Sequence, residues 1–272
     1  MRIFIYITLT LLFAQIQFGF GVSFIGSTPA NAQSKEHKMD IKSAPVETVL
    51  STPLPDDKKT FTIIELFTSQ ICVFCPEADR LFSQLIDRSR IIALSCHVDY
   101  FDIEGEALSQ PFCTERQAKY VKYLGSGPGY TPQIIINGRK DVIGYKFNAM
   151  QRAIIEETDS GPIQMEIKEG NELSKFEVIW PDNLDKERKK DTKLWIGIYD
   201  RPHNIKSSKN NNETITYNHV LSKSIDLGIW SKNGFSETAQ IEIPIDDKYM
   251  GFAVFLQNIE KGEIIGAADY RF

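Results

Sequence analysis

Between residues 61 and 160 the apolar positions change from the spacing of strands to the spacing of helices and back. Phe61 to Phe67 is a short, β-branched apolar run typical of a buried strand. From Pro76 onward, apolar residues recur every three or four positions, as in an amphipathic helix. Ile91 to Val98 is a second apolar run. Strand, helix and strand in this order predict a βαβ unit with parallel strands.

The rest of this region alternates in the same way, so residues 61–160 are predicted to form an α/β domain. Asn137-Gly138 is a hairpin turn signal between two short apolar runs. The further predicted elements are a helix at Glu115–Leu124 broken by glycines at 125–129, strands at Gln133–Ile136 and Asp141–Gly144, and a helix at Phe147–Glu157.

Beyond Gly161-Pro162 the pattern changes to short, spaced, mostly alternating apolar runs. Such runs predict a second, all-β domain at residues 161–272, resembling a sandwich. Because the connection is short, we expect this domain to pack against the first and form a wall near the site described below. The alternative is an independent domain with Trp180, Trp195 and Trp230 in its own core. The predicted strands are Ile163–Ile167, Phe176–Trp180, Leu194–Tyr199, Thr214–Val220, Ala239–Ile243, Gly251–Leu256 and Ile264–Tyr270.

The first 60 residues have the order of an export signal and a leader. Met1-Arg2 is followed by the apolar run Ile3 to Phe24 and then by Ala30-Asn31-Ala32, which predicts a signal peptide cleaved after Ala32. The alternative is an uncleaved membrane anchor, because the run is long enough to span a bilayer. Residues 33–60 are polar and interrupted by prolines, as in a flexible leader. We expect a periplasmic or secreted protein, free of the membrane after cleavage.

Composition excludes some partners. A hydrophobic share of 42% and a charged share of 25% are those of an ordinary globular protein. The net charge of −5 argues against a nucleic-acid-binding protein, which normally has a basic face. No pattern in the sequence indicates a cofactor or a metal site, so we expect neither.

The four cysteines fall within one short segment, which indicates a local role more than a disulfide scaffold. Cys72-Val73-Phe74-Cys75 follows a predicted strand and opens a predicted helix, whose N-terminus stabilises a thiolate. Cys72 is then the nucleophile in thiol–disulfide exchange and Cys75 the resolving thiol. The alternatives are a structural disulfide or half of a zinc site, although Cys96-His97 lacks the usual spacing of a second zinc pair.

Cys96 and Cys113 are the other two cysteines. An oxidising compartment permits them to form a second disulfide. The chain-entropy model gives such a bridge about 3 kcal/mol of stabilisation. The alternative is a pair of buried thiols.

Thr131-Pro132 stands between a glycine-rich loop and an apolar strand, downstream of the dithiol. A thioredoxin fold places a cis proline here, opposite the dithiol, where the residue before it pairs with a bound peptide. We therefore predict that Thr131 and Pro132 bind substrate; the alternative is a trans proline at a strand entry.

Three further polar residues are candidate accessory groups. Glu65 is either a buried carboxylate that takes the proton from Cys75 or a partly exposed strand-end residue. His97 and Asp99 end the second strand, where an open α/β sheet borders its ligand crevice. Both are therefore candidates to line the site, and the alternative for Asp99 is a cap on the next turn.

Several motifs in the sequence belong together: Ile64 to Gln70, the dithiol with Pro76, His97-Val98-Asp99-Tyr100, Arg116-Gln117, Tyr130-Thr131-Pro132-Gln133 and Asn212 to Leu221. In combination they resemble the motifs of the DUF1223 family of exported bacterial proteins with a thioredoxin-like domain. The resemblance covers nearly the whole mature chain and implies a fold and a compartment more than a reaction. The sequence departs from the family pattern in the bulky Val73-Phe74 spacer and in Phe101 and Glu104-Gly105-Glu106.

The sequence therefore predicts a thioredoxin-like α/β domain followed by an all-β, sandwich-like domain. Its predicted function is thiol–disulfide exchange with protein thiols or disulfides and with an electron partner of unknown identity. One alternative is a protein-binding module whose Cys72–Cys75 bridge is structural. The other is a carrier of copper(I), which favours thiolates, but no methionine cluster accompanies the dithiol.

Overall fold

The described residues are mostly β-sheet, with three helices and with strands arranged in four sheets. The structure is a computed structural model that describes residues 60–101, 106–181, 191–206, 213–230 and 238–272. The expected signal peptide, residues 1–32, and leader residues 33–59 lie outside this set. Among the described helices, none is both long and apolar enough to cross a membrane.

The N-terminal region (residues 60–160) contains a four-stranded sheet and three helices. Its elements are β1 (Thr62–Thr68), α1 (Cys75–Ser83), β2 (Ile91–His97), α2 (Pro111–Leu124), β3 (Gln133–Ile136), β4 (Lys140–Ile143) and α3 (Phe147–Thr158). The strand order is β2-β1-β3-β4. β1 and β2 are parallel, as the βαβ pattern predicts, and β3 is antiparallel to both of its neighbours.

The ends of these elements follow from local chemistry. α2 begins at Pro111, four residues before the predicted start, because proline is favoured in the first turn of a helix. It ends at Gly125, whose φ of 59° is the left-handed conformation that suits glycine. Asn137 and Gly138 also have positive φ, 51° and 70°, as a tight hairpin requires.

The C-terminal region (residues 161–272) contains three sheets. Its elements are β5 (Ile163–Gln164), β6 (Glu166–Glu169), β7 (Lys175–Ile179), β8 (Thr192–Asp200), β9 (His203–Lys206), β10 (Thr214–Tyr217), β11 (Leu221–Ile229), β12 (Thr238–Glu242), β13 (Tyr249–Asn258) and β14 (Ile264–Arg271). The strand orders are β11-β8-β13-β14-β5, β12-β7-β6 and β10-β9. The five-stranded and three-stranded sheets bury an apolar cluster between them that includes Trp180 and Trp230.

Three features of this region differ from the sequence pattern. The run predicted as one strand at 163–167 is two strands that join different sheets. β9 and β11 were not predicted, because both are only partly buried and lack a clear apolar alternation. β11 is also an edge strand with two register shifts, which disturb its period.

The two regions share a hydrophobic core, and all described residues belong to one compact unit. Phe67 and Leu94 of the four-stranded sheet join Trp195 and Phe255 of the five-stranded sheet in a single buried cluster. The Trp195 and Phe255 rings stack at 4.5 Å between centroids. Trp195 therefore lies between the regions, whereas Trp180 and Trp230 lie inside the C-terminal one.

A second contact covers the outer edge of β2. The Ser95 N–H donates to the His219 carbonyl at 2.9 Å, and Ser95 forms a parallel bridge with Val220. The adjoining strand β10 packs against α1. The C-terminal region thus forms a wall beside the helix that begins at Cys75.

Candidate functional site

The Cys72–Cys75 pair lies where β1 ends and α1 begins. The two sulfurs form a disulfide, with 5.3 Å between the Cα atoms. Cys75 is fully buried as the first residue of α1, whereas Cys72 is half-buried in the preceding turn. The Glu106 carboxylate holds that turn by accepting hydrogen bonds from the Ser69 hydroxyl at 2.9 Å and the Gln70 N–H at 2.8 Å. The segment therefore leaves Cys72 partly accessible and keeps Cys75 inside the protein.

The Thr131-Pro132 bond is cis and lies beside the dithiol. The Thr131 carbonyl oxygen is 3.7 Å from the Cys72 sulfur. Gly144, just after β4, donates its N–H to the Pro132 carbonyl at 2.8 Å. A Cβ at Gly144 would lie 3.0 Å from the Pro132 Cβ and 3.1 Å from that of Ala78, so glycine permits this close approach. The start of β3, the end of β4 and α1 thus meet at the dithiol.

Asp79 is a buried acid that the sequence analysis missed. It lies four residues after Cys75 on α1, so the two side chains share a helix face. Its exposed fraction is 3%, and the Thr68 hydroxyl donates to its carboxylate at 3.1 Å. Burial raises the pKa of Asp79 to about 8, and the Thr68 hydrogen bond and the charge of Arg80 offset only part of that rise. The sequence contained a signal for this: the helical spacing puts Asp79, an acidic residue, on the apolar face of the helix.

His97 lies on β2 beside Thr68, the residue whose hydroxyl donates to Asp79. It pairs with Thr68 in the β1–β2 register and is fully buried. Neither ring nitrogen has a hydrogen-bond partner among the residues that the structure describes. Burial, with a smaller contribution from the charge of His203, lowers the pKa of His97 to about 3, so the ring is neutral.

Tyr217 of β10, in the C-terminal region, contacts His97. Its ring centroid is 5.1 Å from that of His97. Burial, followed by the charges of Asp79 and Glu106, raises the pKa of Tyr217 well above its usual value. We call Thr68, Asp79, His97 and Tyr217 the buried polar cluster. Sequence reasoning placed only His97 near the site, because Tyr217 arrives from a distant part of the chain.

Glu65 does not face the dithiol helix, which corrects the role predicted for it. It is mid-strand and fully buried, and its neighbours Ile64 and Leu66 face the core under α1. Because side chains alternate along a strand, Glu65 points to the opposite face of the sheet. There it pairs with Arg116 of α2, with a second contact at 2.9 Å, and accepts a hydrogen bond from Tyr120. Asp79, not Glu65, is the acid on the side of Cys75.

Asp99 and the second cysteine pair attach α2 to β2. The Asp99 N–H donates to the Thr114 hydroxyl at 3.0 Å, and that hydroxyl donates to the Asp99 carboxylate. Cys96 and Cys113 form a disulfide with 5.3 Å between the Cα atoms, and both are fully buried. Asp99 thus holds a loop to a helix, which is closer to the capping alternative than to a site-lining role.

A cleft of about 360 Å³ lies elsewhere, between α2 and the five-stranded sheet. Arg116, Lys119 and Trp195 are among its lining residues, and the dithiol residues are not. Across the described ranges, no three His, Cys, Asp or Glu side chains are grouped as a metal site requires.

Comparisons with known proteins identify the same family that the sequence motifs resemble. A family model described as "Protein of unknown function (DUF1223)" matches residues 63–257, which confirms the resemblance stated above. The structure is similar to the crystal structure of a protein from Agrobacterium tumefaciens, with a TM-score of 0.64 and 24% identity over 79% of this chain and 96% of that one. It is also similar to HBP35 of Porphyromonas gingivalis, with a TM-score of 0.54 and 15% identity over 79% and 76% of the two chains. No curated protein matches the chain.

Proposed function

Since this chain belongs to the DUF1223 family of proteins of unknown function, we propose a function from its own geometry. The protein is a thiol–disulfide oxidoreductase in which Cys72 is the nucleophile and Cys75 the resolving thiol. The observation that carries this proposal is the unequal burial of the two cysteines, since Cys75 is fully buried and Cys72 is half-buried. A bridge with a purely structural role needs no such accessible cysteine.

We assign the N-terminal region a thioredoxin-like fold and the C-terminal region a sandwich-like one. Three features support the first assignment: the parallel β1–β2 pair, the antiparallel β3 and β4, and a cis proline beside a dithiol that opens α1. The apolar cluster between the five-stranded and three-stranded sheets supports the second.

The reaction begins when the Cys72 thiolate attacks one sulfur of a substrate disulfide. A Cys72–substrate disulfide forms, the substrate S–S bond breaks, and the other substrate sulfur leaves as a thiolate. The Cys75 thiol then loses its proton and attacks the Cys72 sulfur, which releases the second substrate thiolate. Two electrons have passed from the dithiol to the substrate, and the reverse sequence oxidises a substrate dithiol.

Each cysteine has a neighbour suited to its step. The N-terminus of α1 favours negative charge near the dithiol. Asp79 shares the helix face of Cys75, and its carboxyl group is able to exchange a proton near neutral pH because its pKa is about 8. Thr131 and Pro132 form the substrate side, next to the Cys72 sulfur.

We also propose that the protein is exported to the periplasm or secreted and that its partners are protein thiols or disulfides. The signal-like residues 1–32 support export. The fully buried Cys96–Cys113 bridge is of the kind found in proteins from oxidising compartments.

Alkylation of the reduced dithiol tests the proposal. After mild reduction of the full chain, Cys72 is expected to react with iodoacetamide at least about tenfold faster than Cys75, with a pKa below the free-thiol value of about 8.5. Mass spectrometry of quenched samples across pH values gives both quantities. Cys96 and Cys113 serve as internal controls, because their buried bridge is expected to resist reduction. Equal reactivity of Cys72 and Cys75, or a slower Cys72, contradicts the proposal.

A further inference from the structure

Large apolar side chains are exposed mainly around the dithiol. Among the described residues, nine large hydrophobic side chains are exposed, and five of them lie in three segments that meet at the dithiol. Two stand inside the dithiol motif itself: Val73 is 80% exposed and Phe74 61%. The other three are Tyr100, Phe101 and Ile143. Clustered apolar exposure of this kind marks an interaction surface more often than scattered exposure does.

Two pairs of aromatic side chains belong to segments that adjoin the dithiol. In the first pair, the Phe74 ring stacks on that of Tyr145, with 5.3 Å between centroids. Tyr145 directly follows Gly144, which contacts Pro132. In the second pair, the centroids of the Tyr100 and Phe101 rings are 4.7 Å apart. The Tyr100 hydroxyl is near the side chains of Gln117 and Thr131, which offset part of the rise in its pKa caused by burial.

We propose that these two aromatic pairs form a docking surface for an extended polypeptide that has apolar side chains next to its reacting cysteine. The proposal rests on the proposed function and adds a substrate class: unfolded or newly exported chains, in which such residues are still accessible. Both pairs, Phe74 with Tyr145 and Tyr100 with Phe101, determine specificity. We call these four residues the aromatic rim.

The position of Thr131 favours an extended chain over a small thiol. Its carbonyl adjoins the Cys72 sulfur, and β3 begins two residues later, so Thr131 lies outside the strand ladders of the described sheets. A polypeptide joined to Cys72 therefore passes a main-chain hydrogen-bonding group close to the apolar rings of both pairs. A small thiol is too short to reach both pairs.

Charge also fits an apolar occupant. Glu77 and Arg80, which follow the dithiol on α1, pair with each other. The ammonium group of Lys146 lies 5.0 Å from the centroid of the Tyr145 ring, within the range of a cation–π contact. Burying one apolar side chain of the substrate against the rim is expected to speed capture about tenfold.

Two peptides of equal length test the proposal. Each carries its cysteine as a mixed disulfide with thionitrobenzoate, and they differ only in having leucine or serine beside the cysteine. In the full chain with Cys75→Ser, the Cys72 thiolate attacks the peptide sulfur. The peptide joins Cys72, and thionitrobenzoate leaves as a coloured thiolate. The leucine peptide is expected to react about tenfold faster than the serine peptide.

The ratio of the two rates is then measured in rim variants. Phe74→Ala and Tyr145→Ala, each added to Cys75→Ser, are expected to lower the ratio to about threefold or less. The matched control is Leu173→Ala, which removes a side chain that is 91% exposed in the C-terminal region, and it keeps the ratio. Equal rates for both peptides, with Cys72 still reactive, overturn the docking surface and leave the oxidoreductase standing. A Cys72 that reacts with neither peptide nor glutathione disulfide overturns the oxidoreductase and the docking surface together.

Discussion

Replacing Arg116 with methionine is expected to lower the free energy of unfolding by about 3–5 kcal/mol. Arg116 of α2 connects the two regions. In the N-terminal region it pairs with Glu65 and donates to Tyr120 at 2.8 Å. In the C-terminal region it donates to Gln257 of β13 at 3.1 Å. Its guanidinium lies 3.7 Å from the centroid of the Trp195 ring. The Glu65 side chain is 1% exposed, so removal of Arg116 leaves a buried carboxylate without its cation. Urea unfolding at pH 7 measures the loss.

Two further variants separate this effect from ordinary charge removal. Arg116→Met combined with Glu65→Met is expected to recover most of the stability, because replacing a whole buried pair with apolar side chains is often neutral. Arg80→Met breaks the exposed pair with Glu77 and is expected to cost less than about 1 kcal/mol. If Arg116→Met lowers the free energy of unfolding by no more than Arg80→Met does, the contacts of Arg116 do not hold the two regions together.

The sequence pattern was sufficient for the N-terminal region because β1 and β2 are short, mostly apolar runs and strong turn signals separate its elements. β1 and β2 are buried along their whole length, and Asn137-Gly138 marks the hairpin directly. β11 shows where this reasoning ends. Its burial depends on which strand it pairs with, and that partner, β8, is separated from it by β9 and β10.

The candidate site could be predicted only where its chemistry is local. Cys72, Cys75 and Pro132 were found because motif and spacing define them. For Glu65 the sequence left two alternatives, a proton acceptor for Cys75 or a partly exposed strand-end residue, and the structure shows neither. Alternation along β1 turns Glu65 to the opposite face of the sheet, where Arg116 of a later helix pairs with it. Tyr217 reaches His97 only through the packing of β10 on α1, which no local pattern reveals.

Asp79→Asn is expected to stabilise the protein increasingly as the pH rises. In the folded protein the pKa of Asp79 is about 8, against 3.8 for an unperturbed aspartate. Between these values the folded state keeps the proton and the unfolded state releases it, so rising pH favours unfolding of the wild type. The asparagine variant lacks this effect. Its gain is expected to be below about 1 kcal/mol at pH 4, to reach about 5 kcal/mol at pH 8, and to level off about one pH unit above that.

The difference between the two proteins isolates Asp79. His97 acts in the opposite direction, because its lowered pKa makes the fold lose stability as the pH falls from 6.5 towards about 3. That contribution is present in both proteins and cancels in the difference. Asp87→Asn is the matched control, since it removes a carboxylate whose side chain is 80% exposed, and it is expected to change stability by less than about 1 kcal/mol. A gain from Asp79→Asn that does not depend on pH contradicts the buried-acid assignment.

Asp79→Asn is also expected to change the rate at which Cys75 resolves mixed disulfides. Replacing a carboxylate with a purely structural role would not change that rate. Asparagine cannot take the proton that Cys75 must lose before it attacks Cys72. Resolution at pH 7 is therefore expected to slow by about 10²-fold, the lower end of the range for general base catalysis. Mixed disulfides through Cys72 should then accumulate, and they should disappear as rising pH ionises Cys75 without help. A variant that is more stable but resolves at the wild-type rate at pH 7 makes Asp79 a buried acid with no part in the exchange.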